Sequence, residues 1–170
     1  LKLIDYFHFT EINELLGQER NISPIDNIEI PDYIILFEAE YQQSMHNNDY
    51  ILEQREYDQY ASKWTRVNDW FTNIRAKIKY TVESIQTGMV EVMNRERENA
   101  PQERRSSIKG KERWVESTIQ DYKDLQTMLP AALSYFEAIE GKIKSVDRKH
   151  YNCKHMSRSI DEDKGPGGHQ

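Results

Sequence analysis

Residues 74–80 read Ile-Arg-Ala-Lys-Ile-Lys-Tyr: three cations interleaved with aliphatic side chains and closed by a tyrosine. Lysine and arginine neutralise phosphates, and aromatic rings stack on bases. These are the residue types that hold single-stranded nucleic acid. At about 100° per residue on a helix, Arg75 and Lys79 share a face and Lys77 lies on another flank. With Tyr80, Arg66 and Trp70 they surround one solvent-facing sector. A second basic cluster, Arg104, Arg105, Lys109, Lys111 and Arg113, follows later in the chain. The competing reading of both clusters is a solvated helix surface whose cations pair with glutamates. Residue types alone weigh the two readings equally.

Other chemistry is poorly served. There is no glycine-rich phosphate loop and no paired-cysteine zinc pattern. His150 and Cys153 share a helical face at i, i+3, but His155 points elsewhere, and the first two fall on an apolar seam. A packing role outweighs a zinc site there. No nucleophile has an oriented base. The expectation is a non-enzymatic protein with no catalytic residues, no metal and no cofactor.

Charge is distributed unevenly. Residues 1–62 hold 3 Lys/Arg against 13 Asp/Glu, a balance of −10, whereas residues 63–158 hold 19 against 13, a balance of +6. The basic part invites an anionic partner. Hydrophobic residues make up 37% of the chain and charged residues 31%. That suits long helices sharing narrow seams better than a compact globule. No run of 18 apolar residues exists, the N-terminus has no signal-type apolar region, and one cysteine fits a reducing cytosol. The expectation is a soluble cytoplasmic protein without membrane contact.

The elements that must position the cations are helical. Thr10 is placed to cap a short helix, TEINELLG, ending at Gly17. An extended connector with a short strand at Ile28–Ile30 follows, and Pro31-Asp32 opens the next helix. From Tyr57 the apolar residues Tyr60, Trp64, Val67, Phe71, Ile74 and Ile78 recur in steps of three and four. The series continues through Thr81 or Val82, Ile85, Met89 and Val92. That is a heptad pattern, and it excludes a strand at residues 74–80. His46 to Asp49 interrupts the earlier part. Residues 97–107 read as a loop. A second seam runs Tyr122, Leu125, Leu129, Ala132, Phe136, Ile139, Ile143, Val146, His150, Cys153, in phase through Pro130, which predicts a kinked but continuous helix.

The expected fold is therefore all-α: two long antiparallel, coiled-coil-like arms at about 32–97 and 108–158. An acidic segment, 1–31, precedes them, and a disordered acidic, glycine-rich tail, 159–170, follows. The aromatic stripe is broader than two helices need, which predicts self-association.

Three stretches carry a family resemblance. Arg75-Ala76-Lys77-Ile78-Lys79-Tyr80 fits a basic-Ala-basic-aliphatic-x-Tyr element. Phe37-Glu38-Ala39 fits an aromatic-Glu-Ala element upstream, and residues 122–156 fit a terminal helix with a basic end. In these the chain resembles the phage recombination mediators of the UvsY type, small helical proteins that help load a phage recombinase onto single-stranded DNA. The likeness covers about residues 28–160. The acidic segment 1–27 and the tail after 159 depart from it. The resemblance implies a non-catalytic, ring-like homo-oligomer of several subunits in the cytoplasm of an infected bacterium. Its partners would be single-stranded DNA, a recombinase and a single-strand-binding protein. Arg75 and Lys77 would contact phosphates. The C-terminal helix would drive oligomerisation, with Leu129, Phe136, Ile139, Ile143 and Val146 suited to that role. Two alternatives stand beside it. One is a helical adaptor with no nucleic-acid role. The other is an inhibitor whose acidic segment occupies a partner's DNA site.

Overall fold

A computed structural model describes residues 1–9, 27–46 and 52–163. Among them the protein is all-α: α1 (Leu3–Phe7), α2 (Asp32–His46), α3 (Gln54–Glu96), α4 (Ile108–Thr118) and α5 (Gln120–Asp163). Two 3-10 turns, Arg97–Asn99 and Gln102–Arg104, join α3 to α4. The helix expected over Thr10–Gly17 and the interruption at Asn47–Asp49 lie outside the described residues. No helix among the described residues is long and apolar enough to cross a membrane.

The chain divides into two compact units, and α3 and α5 each contribute to both. The first unit comprises Leu1, Glu29–Arg75 and Ala138–Gln170. Here α2 and α3 run antiparallel: Tyr33 meets Arg66, Phe37 meets Trp64, and Ser44 meets Tyr60. α3 and α5 also run antiparallel, through Asp58–Ser157, Asn68–Asp147 and Arg75–Glu140. Trp64 is the largest fully buried side chain. Its ring meets Phe37 and Tyr41 edge-on at centroid distances of 4.7 and 5.0 Å. Such pairs add about 0.5–1.5 kcal/mol each beyond burial of their area. Val67, Phe71, Ile139 and Val146 extend this core. Lys142 pairs with Glu38 where both side chains are largely covered. Lys149 lies 4.6 Å from the Trp64 ring, and desolvation pushes its pKa down.

The second unit comprises Lys2–Ile28 and Ala76–Glu137. α1 is only five residues long, too short to stand alone. Burial of Leu3 and Ile4 holds it, and the Leu3 amide donates to the Ile28 carbonyl at 2.7 Å. Isolated backbone pairing of this kind replaces the short strand expected at Ile28–Ile30. The α3 and α5 segments of this unit again run antiparallel. Arg95 reaches Asp121 at 3.3 Å, and Gly88 faces Leu125, whose Cδ1 would stand 3.3 Å from an added Cβ.

The seam of α3 follows the heptad spacing at Ile78, Val82, Ile85 and Val92, which are buried, while Met89 is half-buried. The seam of α5 differs. Met128 and Tyr135 fill the core, whereas Leu129 and Phe136 are half-buried. The ring of Phe9, just beyond α1, sits 4.4 Å from that of Tyr135, a contact that favours Tyr135 over Phe136 as the inward residue. α5 runs through Pro130 without interruption. It continues to Asp163, so residues 159–163, expected in the tail, are helical. The second arm is also two helices rather than one, because Ile119 adopts an extended backbone (φ −81°, ψ 115°) between α4 and α5.

Candidate nucleic-acid interface

Within the first unit, Arg75 and Arg66 are the expected contacts. The Arg75 guanidinium lies 3.8 Å from the Glu140 carboxylate, with both side chains substantially exposed. Arg66 stacks over the Tyr33 ring at 5.0 Å and lines a small hollow with Leu36, Phe37, Glu40 and Lys63. Stacking on a ring leaves a guanidinium's N–H donors at its edge, and an anion binds through those in-plane donors.

Within the second unit, Ile78 turns inward while Lys77, Lys79 and Tyr80 turn outward. The Tyr80 side chain is 68% exposed. Lys79 pairs with Glu83 at 3.7 Å along the helix. Lys77 has no ion pair among the described residues. The cations of this face therefore stand on the solvent side of the seam.

The later basic cluster divides in two. Arg105 Nε donates to the Ala100 carbonyl at 2.6 Å, and Lys111 pairs with Glu98 at 2.7 Å, drawing that carboxyl below its usual pKa. Arg105 ties the turn region to itself, and Lys111 fastens it onto α4. Arg104, Lys109 and Arg113 remain exposed, with no ion pair among the described residues. Ser107 caps α4, its hydroxyl accepting from the Gly110 amide at 3.0 Å. A Cβ at position 110 would stand 2.6 Å from the Arg104 carbonyl oxygen, so glycine lets the 3-10 turn close on the helix.

No family model, curated protein or solved structure matches this chain.

The residues expected to drive oligomerisation also separate. Ile139, Ile143 and Val146 are buried within the first unit. In the second unit, Leu129 and Phe136 are half-buried, and Leu133 between them is 37% exposed. These three follow i, i+4, i+7 spacing on one stripe of α5. Heptad spacing passes over Leu133 because it lies off the inward seam. No group of three His, Cys, Asp or Glu among the described residues is placed to hold a metal ion. Cys153 is buried with its thiol 3.9 Å from the Tyr41 hydroxyl, and burial pushes the thiol pKa up.

One aromatic with a basic neighbourhood, Trp114, lies outside the expected contact residues. Trp114 lines a cleft of about 530 Å³ with Arg104 and Arg113. The signal was available in the run Lys-Glu-Arg-Trp at 111–114, an aromatic set directly among cations.

Proposed function

We propose that this protein binds single-stranded DNA without catalysis and acts as a recombination mediator, helping a recombinase displace single-strand-binding protein. The observation that carries the reading is the outward placement of Lys77, Lys79 and Tyr80 beside inward Ile78, in the element that resembles the mediator family. Phosphates contact Arg75 and Lys77. Exposed ion pairs such as Arg75–Glu140 and Lys79–Glu83 contribute little to stability, so a phosphate exchanges with either carboxylate at small cost. Several copies of the chain, each with a few weak phosphate contacts, bind one strand with an avidity that no single site has. The copies associate through the Leu129–Leu133–Phe136 stripe, since Ile139, Ile143 and Val146 already serve their own chain.

A second reading, a helical adaptor with no nucleic-acid role, is favoured by the carboxylates that already face Arg75, Lys79 and Lys111. The two separate by anisotropy of a labelled oligothymidylate, with the mass of the complex measured alongside. Salt-sensitive binding by an oligomer supports the mediator. No binding at low salt supports the adaptor.

A further inference from the structure

The cleft around Trp114 lies wholly within the second unit and is built from three elements. Arg104 comes from the 3-10 turn Gln102–Arg104, Arg113 and Trp114 from α4, and Gln126 from α5. Its position is fixed rather than incidental. Gly110 brings the Arg104 backbone against the first turn of α4, and Arg113 and Trp114 follow one turn later. The break at Ile119 then turns the chain so that Gln126 of α5 closes another side. Two other cations of the cluster, Arg105 and Lys111, are engaged in holding the turns, whereas Arg104, Arg113 and Lys109 are left facing solvent.

We infer that this cleft is a nucleotide subsite for single-stranded nucleic acid, in which a base stacks on Trp114 and the flanking phosphates lie against Arg104 and Arg113. The inference rests on the proposed binding function and adds a base-reading element to it. The α3 face offers cations and one tyrosine; the cleft brings an indole and two arginines to one lining, the residue types that base stacking with phosphate contact uses. The Gln126 amide and the Ser117 hydroxyl supply neutral hydrogen-bonding groups at the rim. Glu116 also lines the cleft, and its carboxylate repels a phosphate on that side. The strand therefore enters past Arg104 and Arg113 and away from Glu116.

The test uses the full chain with two fluorescein-labelled strands of equal length, oligothymidylate and an abasic deoxyribose-phosphate strand. The parent is expected to prefer the thymidylate strand by about tenfold, the order of one stacked base. Trp114→Ala removes that preference and Trp114→Phe keeps most of it. Arg113→Ala, at an exposed position that does not endanger the fold, weakens both strands alike. It also lowers the slope of log affinity against log salt by about 0.7. Glu116→Gln tightens both. The subsite is overturned if Arg113→Ala keeps the parent's affinity and slope, or if a folded Trp114→Ala keeps its preference for bases. In that case a loss with Arg75→Ala and Lys77→Ala still upholds the α3 face. A parent that binds neither strand overturns both readings.

Discussion

The Arg75 guanidinium and the Glu140 carboxylate face one another at 3.8 Å across the antiparallel α3 and α5 segments of the first unit. The pair is long and well exposed, and pairs of this kind are worth about 0–1 kcal/mol. In the proposed function Glu140 therefore competes with a phosphate for Arg75, and it does not anchor the fold. Glu140→Gln is expected to tighten binding of a labelled oligothymidylate severalfold at low salt while leaving the melting temperature nearly unchanged. Weaker binding by this variant would show that Glu140 orients Arg75 rather than occupying it.

Adjacent positions on α3 should respond in opposite ways. Ile78 is fully buried and Lys77 is exposed. Ile78→Ala is expected to cost about 2–5 kcal/mol in urea unfolding. Lys77→Ala should stay within about 0.5 kcal/mol of the parent, since alanine is a good helix former. Equal costs at the two positions would mean that the cations are not on the solvent side of the seam.

The contrast between those two residues also marks what was legible in the sequence. Steps of three and four placed Ile74, Ile78, Ile85 and Val92 inward, because a helix buries one stripe whatever packs against it. On α5 the same rule met two adjacent apolar pairs, Met128-Leu129 and Tyr135-Phe136, and both members of each pair satisfy a three-or-four spacing. At the second pair Phe9 packs on Tyr135, a non-local contact that favours Tyr135 inward. The break at Ile119 carries no glycine or proline, so nothing local announced it. α1 is shorter than two helical turns and leaves no periodic signal. The outward direction of Lys77 and Tyr80 followed from the phase of α3. The Trp114 cleft did not, because it needs a 3-10 turn, α4 and α5 brought together.

Gly110 provides a test of how the basic turn is fixed. In an unconstrained helix, Gly→Ala gains about 1 kcal/mol. Here the new Cβ would stand 2.6 Å from the Arg104 carbonyl oxygen, and that neighbour is backbone. Gly110→Ala is therefore expected to lower stability, by about 1–3 kcal/mol. It should also weaken oligothymidylate binding by displacing Arg104. A stabilised variant would mean that the turn is free of α4.

Tyr41 links the first unit's core to pH. Burial, then the nearby Cys153, raises its pKa above the ordinary tyrosine value of about 10. The unfolded chain therefore loses this proton first, and the stabilisation is present below pH 10 and lost as pH rises beyond it. Tyr57 shifts in the same direction, also chiefly by burial. Chemical denaturation at successive pH values should show a fall in stability above pH 10 that is shallower in Tyr41→Phe. An unchanged slope would place Tyr41 in contact with solvent.

The stripe Leu129–Leu133–Phe136 is the interface assigned to the proposed self-association. Leu133→Glu is expected to shift the sedimenting species toward monomer with little loss of helicity, because the side chain is already 37% exposed. Val146→Glu, at a fully buried position, should instead unfold the first unit. An oligomer unaffected by Leu133→Glu would move the interface elsewhere.

The central claim is that α3 presents Arg75 and Lys77 to the phosphates of a single strand. Its most direct test is the anisotropy of a labelled oligothymidylate across a salt series, comparing the parent with the Arg75→Ala/Lys77→Ala double variant. The account predicts affinity that falls steeply with salt in the parent, and weaker binding with a shallower salt slope in a double variant that remains fully helical. Identical binding by the two proteins at every salt concentration, or no binding by the parent at low salt, would contradict it.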